Sequence, residues 1–288
     1  GAHTHAASRA AERLRSRGVS TSVVSGGSAA ESTRLLRAAL ELGADAVLVA
    51  GGDGTVHLAL QELAGAGIPL GIIPAGTGND MATVAGLQEL DIEAAADAVA
   101  AGVTRSIDLA CVSRGDGTSE YFGTVLASGF DSRVNDRANA MRWPRGGSRY
   151  NIAILIEFVR LRGIPFTLDL ELADGTHEAL ESDLVMATVG NGRTYGGGIP
   201  ICPDADAADG LLDVTLVRPA GRLHLLRLLP RVYRGTHVNL PEVATYRVRS
   251  VRLDAPDVTA YADGDPIGSL PLTVDVAPGA LTLFMSPS

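Results

Sequence analysis

The sequence contains no lysine, so each of its 24 basic residues is an arginine. This absence excludes the Walker A lysine of P-loop proteins and the strand lysine with which protein kinases contact ATP phosphates. It also excludes a Schiff base with pyridoxal phosphate, because that linkage needs a lysine amine. If the protein binds a nucleotide, then backbone amides, arginine side chains and metal ions must contact the phosphates.

Aromatic residues, cysteines and long apolar runs are also scarce. Aromatic residues make up 4% of the chain, so alanine, valine and leucine must form most of the core. The two cysteines, Cys111 and Cys202, lack the spacing of a metal site, and so low a cysteine content is typical of a reducing compartment. No apolar run approaches the length of a membrane span and no signal peptide is visible, which predicts a cytoplasmic protein.

The charge is acidic overall but uneven along the chain. The formal net charge of −9 argues against general nucleic-acid binding, so we expect no nucleic-acid partner. Residues 133–162 nevertheless contain seven arginines, and residues 218–234 contain five. The pattern over 222–234 predicts an amphipathic helix, which either packs on the core or lies on an anionic membrane. The earlier stretch, which also contains Trp143, is the better candidate for a membrane interface.

Two short glycine-rich segments each follow an apolar run, about one β-α-β unit apart. Residues 51–55 (Gly-Gly-Asp-Gly-Thr) follow the apolar residues 46–50, and residues 74–80 (Pro-Ala-Gly-Thr-Gly-Asn-Asp) follow 68–73. Each pattern predicts a buried strand, a tight turn and a helix. Because parallel strands are joined by right-handed crossovers, both turns are expected at the carboxyl edge of one sheet, where helix N-termini favour phosphate.

Each of these two glycine turns carries an acidic residue, Asp53 in the first and Asp80 in the second. Anion-binding backbone beside carboxylates is suited to a phosphate together with a divalent cation. An ordinary strand-to-helix turn would explain either segment alone, with glycine providing positive φ and Thr55 capping the helix. Two acidic glycine turns at one sheet edge favour a nucleotide site over that explanation.

The first 112 residues alternate predicted helices with predicted strands. Helical patterns cover residues 6–17, 29–42 and 91–101, and strand patterns cover 19–24, 46–50, 68–73 and 104–110. Such alternation predicts a fold of the α/β class, with a mostly parallel sheet that helices cover on both faces.

Beyond residue 112 the predicted strands follow one another with few helices between them. Strand patterns cover residues 166–172, 184–189, 211–217, 246–253, 258–262 and 270–276, helical patterns cover about 150–162 and 222–233, and residues 114–118 predict a hairpin turn. We therefore expect two domains, an α/β domain at 1–112 and a β-rich domain at 113–288, with the active site in the cleft between them.

Further segments extend the motif pattern along the chain. They are residues 106–109 (Ser-Ile-Asp-Leu), 191–198 (Asn-Gly-Arg-Thr-Tyr-Gly-Gly-Gly), 203–213 (Pro-Asp-Ala-Asp-Ala-Ala-Asp-Gly-Leu-Leu-Asp) and 261–265 (Tyr-Ala-Asp-Gly-Asp). With the two glycine turns, and in this order, they make the chain resemble the diacylglycerol kinase-like catalytic domain family, in particular its soluble bacterial members. The resemblance implies an ATP-dependent kinase with an α/β nucleotide domain, like that of NAD kinases and phosphofructokinases, and a β-sandwich-like second domain.

The resemblance also implies which residues bind ATP and magnesium. The residues that match the family's nucleotide contacts are Gly51, Gly52, Asp53, Gly54, Thr55, Gly76, Thr77 and Gly78. The acids that match its network around a catalytic Mg²⁺ are Asp53, Asp80 and Asp108. In the acidic loop 204–213, the side chain of Asp209 and the carbonyl groups of Asp206 and Leu211 match a structural Mg²⁺ site. Without the resemblance, Asp80 is a helix cap, Asp108 is a surface acid, and the loop is solvated.

Asp263 matches the family's proposed general base, in a motif of the type Asp-Gly-Glu. The third residue here is Asp265, which leaves the base assignment unchanged but departs from the family at the neighbouring acid. Such an acid could accept the proton of the acceptor hydroxyl group. Taken alone, residues 263–265 predict only a hairpin turn. We assign no histidine a catalytic role, although His57 lies early in the helix after the first turn, where it could approach the nucleotide.

Together the residues and the resemblance predict a lipid kinase that transfers the γ-phosphate of ATP to diacylglycerol, giving phosphatidate. We expect peripheral contact with the inner membrane face, and a homodimer. The nearest alternatives are kinases of another lipid, such as a sphingoid base or a glycolipid, and of NAD. A further alternative is a non-catalytic nucleotide- or lipid-binding protein, against which the retained acids argue. The family opens with a strand and an Asn-Pro-x-Ser-Gly turn that this sequence lacks, so we expect the α/β domain to lack a first strand.

Overall fold

The computed structural model describes residues 2–141, 152–153, 156–157, 161–221 and 230–287. The elements of its first part are, in chain order, α1 (Ala2–Ser16), α2 (Ala29–Glu41), β1 (Val47–Gly51), α3 (Asp53–Leu63), β2 (Leu70–Pro74), α4 (Asp80–Val84) and α5 (Ile92–Ala100). The three helices predicted in this region and the strands before the two glycine turns are therefore confirmed. None of the described helices is long and apolar enough to cross a membrane.

Local sequence signals explain where these helices begin. The Ser28 hydroxyl accepts a hydrogen bond from the amide of Glu31, and the Glu31 carboxylate accepts one from the amide of Gly27, which is a capping box for α2. Asp91 caps α5 in the same way, through the amide of Ala94. Helix α3 begins after Gly52 without a side-chain cap, so the expectation that Thr55 caps it is wrong.

The strand predicted at residues 19–24 is wrong. This segment is irregular and pairs with no strand among the described residues. Its alternation of apolar residues does not bury them, since Val19, Val23 and Val24 are 39%, 42% and 55% exposed. A strand needs a neighbour for its backbone hydrogen bonds, and within the described chain β1 has such a neighbour only in β2.

The second part of the chain is built mainly from strands. Its elements are β3 (Thr104–Arg114), β4 (Ser119–Phe122), β5 (Val125–Gly129), α6 (Phe130–Ala140), β6 (Ile164–Leu172), β7 (His177–Leu184), β8 (Met186–Gly190), β9 (Leu212–Val217), a 3₁₀ turn (His237–Asn239), β10 (Val243–Asp254), β11 (Thr259–Ala262), β12 (Asp265–Ser269) and β13 (Leu272–Phe284). The predicted strands and the hairpin at 114–118 are confirmed. The helices predicted at 150–162 and 222–233, and Trp143, lie wholly or largely outside the described residues.

The strands form one mixed sheet in the order β1-β2-β13-β10-β9-β8-β5-β11-β12, with β3 and β4 continuing from β13, and β6 and β7 from β10. Strands β1 and β2 are parallel, and β13 is parallel to β2 at Leu283 and Leu70. All the other described pairs are antiparallel, so the sheet as a whole is mixed. In the first half β1 and β2 are parallel, as expected, but β3 is separated from β2 by β13, to which it is antiparallel.

Strands β3 and β13 are long enough to belong to both halves of the molecule. Ile107 and Leu281 pack in the cluster beneath α3 and β2, whereas Val112 and Val274 pack in the core of the strand-rich half. The register of the two strands places Leu281 opposite Ile107 and Val274 opposite Val112. One antiparallel pair thus connects the two cores.

Candidate active site

The two glycine turns touch each other through their backbones. The amide of Ala75 donates to the carbonyl of Gly51 at 3.0 Å, directly beyond the paired ends of β1 and β2. A Cβ atom on Gly52 would lie 3.0 Å from the Cα of Gly76, and one on Gly76 would overlap the Cα of Gly52. Only glycine allows this approach, and both turns therefore lie at one edge of the sheet, as predicted.

Asp53 holds the second turn in place. Its carboxylate accepts hydrogen bonds from the amides of Asn79, at 2.8 Å, and Asp80, at 2.7 Å. Asn79 has a left-handed backbone with φ of 59°, and its amide side chain bonds in both directions to the backbone of Gly76. Any side chain at position 78 would overlap the Asp53 carboxylate. The first acid of the motif is thus a structural link between the two turns and the N-terminus of α4.

An open cleft of about 680 Å³ lies beside the two turns. It is lined by Ala29, Ser32, Gly52, Asp53, Gly54, Thr55, Leu58, Ala75, Gly76, Thr77 and Gly78. Of the eight predicted nucleotide contacts, Gly51 alone is absent from this lining. Sequence reasoning missed Ala29 and Ser32 at the start of α2, although the capping box after the glycines at 26 and 27 marked a second helix N-terminus.

Asp80 is buried and faces the glycine-rich loop at residues 191–198. Its carboxylate accepts hydrogen bonds from the Thr194 hydroxyl at 2.9 Å and from the amides of Gly197 and Gly198, each at 3.0 Å. The side chain is therefore not a cap of its own helix, whose N-cap is Asn79, but fixes a loop more than a hundred residues away. This contact gives the motif at 191–198 a place at the wall of the site.

Asp53 and Asp80 form a pair of like charges without a positive partner. Burial raises the pKa of Asp53, and the nearby charge of Asp80 raises it further, while backbone amides lower it. Among the described residues neither acid forms an ion pair with an arginine or a histidine. Two adjacent carboxylates beside a helix N-terminus are ligands suited to Mg²⁺, so these residues fit the divalent ion that the family resemblance implies.

Asp108 does not join this pair. Its carboxylate accepts hydrogen bonds from the amides of Gly210, at 2.7 Å, and Gly279, at 2.8 Å. It thereby ties β3 to the acidic loop and to the bend in β13. No group of three or more acidic, histidine or cysteine side chains that could hold a metal ion occurs in the described part of the chain. The predicted role of Asp108 at the catalytic magnesium stays a prediction.

The acidic loop at 204–213 carries its own positive partners. Arg247 forms an ion pair with the Asp209 carboxylate, and Arg105 lies 3.6 Å from that of Asp206. The amide of Leu211 donates to Asp209, so the loop is closed by internal hydrogen bonds. The predicted structural magnesium site at Asp206, Asp209 and Leu211 stays a prediction.

Asp263 lies in the turn between β11 and β12, with a left-handed backbone and a side chain that is 2% exposed. Its carboxylate accepts hydrogen bonds from the amides of Gly123 and Thr124, each at 2.9 Å, and from the Thr124 hydroxyl at 2.5 Å. The fourth partner is His57, whose Nδ1 lies 3.3 Å away. Four donors thus occupy the four lone-pair positions of the carboxylate.

His57 is the residue that sequence reasoning passed over. Its Nε2 lies 2.9 Å from the Glu120 carboxylate, which in turn pairs with Arg114. Burial lowers the pKa of His57, but the hydrogen bonds and charges of Asp263 and Glu120 outweigh it and raise the pKa to about 9. A signal was present, because 53, 57 and 61 are polar positions four residues apart and so lie on one face of the helix.

The free energy of unfolding should depend on pH through the protonation of His57. A folded pKa of about 9 against an ordinary 6.5 means that the His57 contribution is complete below pH 6.5 and is lost as the pH rises through 9. We expect urea denaturation of the protein to show a fall on the order of 3 kcal/mol from this group over that window. The His57→Gln variant should lack this part of the slope; an equal slope in both proteins would contradict the assignment.

The turn that carries Asp263 also lies close to the first turn of α3. A Cβ atom on Gly54 would lie 3.7 Å from the carboxylate of Asp265. His57 is one helical turn after Asp53, so α3 presents Asp53 to the cleft at its start and His57 to Asp263 one turn later. The predicted base and the predicted phosphate-binding turn therefore share one helix as their common support.

Comparison with known proteins then decides the family. The family model described as "Diacylglycerol kinase catalytic domain" matches residues 1–112, and "YegS C-terminal NAD kinase beta sandwich-like domain" matches 124–285. A Mycobacterium tuberculosis protein named "Diacylglycerol kinase" is 51% identical over 99% of this chain and 91% of its own length. The chain belongs to the diacylglycerol kinase and YegS-like lipid kinase family. A Stenotrophomonas maltophilia relative named "Probable lipid kinase YegS-like" is 31% identical, over 88% of this chain and 83% of its own.

Solved structures agree with this membership at the level of the fold. A diacylglycerol kinase from Bacillus anthracis has a TM-score of 0.69 and 18% identity, over 97% of this chain and 92% of its own. An NAD kinase from Archaeoglobus fulgidus, solved with ATP, has a TM-score of 0.51 and 16% identity, over 97% and 89%. The two-part fold expected from the sequence, α/β followed by a β-sandwich, is confirmed for this member of the lipid kinase family.

Proposed function

We propose that this family member transfers the γ-phosphate of ATP to the free hydroxyl group of diacylglycerol, giving phosphatidate. The observation that carries the proposal is the meeting of two glycine turns around Asp53, with Asp263 held from the same helix. The name of the Mycobacterium tuberculosis relative, "Diacylglycerol kinase", supports diacylglycerol as the acceptor. The lysine-free sequence fits a site that binds phosphates through backbone amides.

In this proposal the cleft binds the nucleotide. The phosphates lie against the backbone of the two glycine turns, where the N-terminus of α3 places the positive end of its dipole. Thr55 and Thr77 line the same wall and offer hydroxyl groups. Asp53 and Asp80 would hold Mg²⁺, which when bound supplies charge neutralisation for the phosphates. Phosphoryl transfer depends mostly on such alignment and electrostatic stabilisation.

Asp263 is the group that we propose receives the proton of the acceptor hydroxyl. Because four donors occupy its carboxylate, one of them has to turn away before the proton arrives. The Thr124 hydroxyl is the donor that can do so by rotation about a single bond, whereas the two amides are fixed by the backbone. The other three donors keep the carboxylate oriented, as a general base has to be.

The acceptor has to be reached at a bilayer, because a diacylglycerol partitions into lipid. We propose peripheral contact with the membrane, and the arginine-rich sequence at 133–162 is the segment that its charge favours. Within the described part of this segment Arg137 pairs with Glu157, so Arg133 and the exposed Arg162 are the better candidates for contact with a lipid phosphate. Binding to vesicles with and without anionic lipid would test this contact.

The experiment that tests the proposal uses γ-labelled ATP, Mg²⁺ and mixed micelles. Diacylglycerol, monoacylglycerol and a sphingoid base are each presented in micelles, and NAD is presented in solution. We expect label in diacylglycerol, with transfer lost when EDTA is added. Label in another acceptor would keep the phosphoryl transfer and change the substrate. No transfer to any of them would favour the non-catalytic binding protein.

A further inference from the structure

A chain of charged side chains connects the phosphate-binding helix to the second half of the molecule. His57 lies between two carboxylates, with Nδ1 3.3 Å from Asp263 and Nε2 2.9 Å from Glu120. The Glu120 carboxylate is in turn paired with Arg114, whose Nε donates to the carbonyl of Ile267 at 2.8 Å. These residues come from α3, β3, β4, and the turn and second strand of the β11–β12 hairpin, so the network extends from α3 into the strand-rich half.

The groups around His57 favour the protonated, charged form of its imidazole. The His57 side chain is 5% exposed, and the ionisable groups that contact its ring are two acids, Asp263 and Glu120. A neutral imidazole has one donor and could satisfy one carboxylate only, whereas the imidazolium donates to both. Arg114 faces the outer oxygen of Glu120 and so leaves the inner one for His57. The two carboxylates and the two cations alternate along the chain.

We propose that His57 is a positioning residue, whose imidazolium orients the Asp263 carboxylate while Glu120 holds the imidazolium in place. This inference rests on the proposed function, in which Asp263 receives the proton. His57 does not touch the substrate in this scheme. It acts through Asp263, and it couples the orientation of that acid to the helix that starts at the phosphate-binding turn.

Two neutral substitutions of His57 test whether a hydrogen-bond donor to Asp263 is enough or whether the positive charge is also needed. In His57→Asn the amide nitrogen replaces Nδ1, so a neutral donor to Asp263 remains. In His57→Gln the amide reaches the Nε2 position, so the contact with Glu120 remains and that with Asp263 is lost. A third variant, Gln61→Leu, is the matched control, because Gln61 also ties α3 to β4, through both backbone groups of Tyr121, but does not touch Asp263.

We expect His57→Gln to lower kcat about 100-fold with little change in the KM for ATP, since a misplaced reacting group costs that much. His57→Asn should lose less, because the donor remains. Gln61→Leu should lower the unfolding midpoint and leave kcat near its wild-type value, because Gln61 does not touch Asp263. Equal losses of kcat in His57→Gln and His57→Asn, or a loss in Gln61→Leu as large as that in His57→Gln, would overturn the proposal.

A second measurement needs no substrate and therefore separates this inference from the proposed function. Nitrogen NMR of the imidazole should show His57 protonated at pH 7.5 in the wild-type protein, with a pKa near 9, and Glu120→Gln should lower that pKa. If His57 has this raised pKa while the wild-type protein transfers no phosphate, the proposed function fails, but the placement of a charged imidazolium between Asp263 and Glu120 holds. A neutral His57 at pH 7.5 would overturn that placement, whatever the kinase assay shows.

Discussion

Replacement of Asp263 by asparagine is expected to lower phosphoryl transfer by about 10²- to 10⁴-fold, the usual contribution of a general base. ATP binding should remain nearly unchanged, because Asp263 is not among the residues that line the cleft. The new amide nitrogen would face an amide or hydroxyl donor of Gly123 or Thr124, so we also expect a loss of about 1–3 kcal/mol in the free energy of unfolding. Initial rates, ATP titration and urea denaturation measure the three effects.

Asp257→Asn is the matched control for this prediction. Asp257 is also an aspartate with a left-handed backbone, φ 55° against 51° for Asp263, but it lies exposed in the turn before β11. We expect its variant to keep wild-type rates. A folded, ATP-binding Asp263→Asn protein with more than about a tenth of the wild-type rate would refute the base assignment, since a lost base costs far more.

Replacement of Gly76 by alanine is expected to weaken ATP binding by more than about 100-fold, because the two glycine turns would have to separate. The added Cβ would overlap the Cα of Gly52 and also lie 2.9 Å from the Asn79 side chain. Neither neighbour is the free end of a flexible chain, so the turns themselves must shift. Overpacking of this kind also costs about 1–3 kcal/mol of stability. Calorimetry with ATP and thermal denaturation measure the two effects.

Gly115→Ala provides the comparison for this second prediction. Gly115 lies in the β3–β4 hairpin, an added Cβ there meets no atom within 4 Å, and its backbone is not left-handed. Its variant should bind ATP like the wild-type protein and unfold at nearly the same temperature. Tight ATP binding by Gly76→Ala would mean that the phosphates do not lie between the two turns.

Much of the nucleotide half could be predicted because its signals are local. An apolar run, a glycine turn and a polar helix start lie within about fifteen residues of each other at both turns, and periodicity specifies such units. The strand predicted at 19–24 failed for the opposite reason. Its apolar pattern is suitable for a strand, but a strand forms only beside a partner strand. The sequence of six residues does not determine which strand, if any, lies beside it.

The acids could be recognised as important without their partners being known. Asp108 bonds to Gly210 and Gly279, and Asp209 pairs with Arg247, and each partner is 38 or more residues away along the chain. Which of them meet depends on the order of strands in the sheet, above all on β13 passing between β2 and β3. Motif spacing alone therefore cannot say whether an acid faces a metal, an arginine or the amides of a loop.

By itself the sequence determined the two glycine turns, the two-part fold and the lack of any lysine chemistry. These follow from composition and from contacts between close neighbours in the chain. Only the tertiary structure decided that His57 lies between Asp263 and Glu120, which are 206 and 63 residues away. The physical reason is that burial makes a charge costly unless an opposite charge meets it, and the meeting partners come from different parts of the fold.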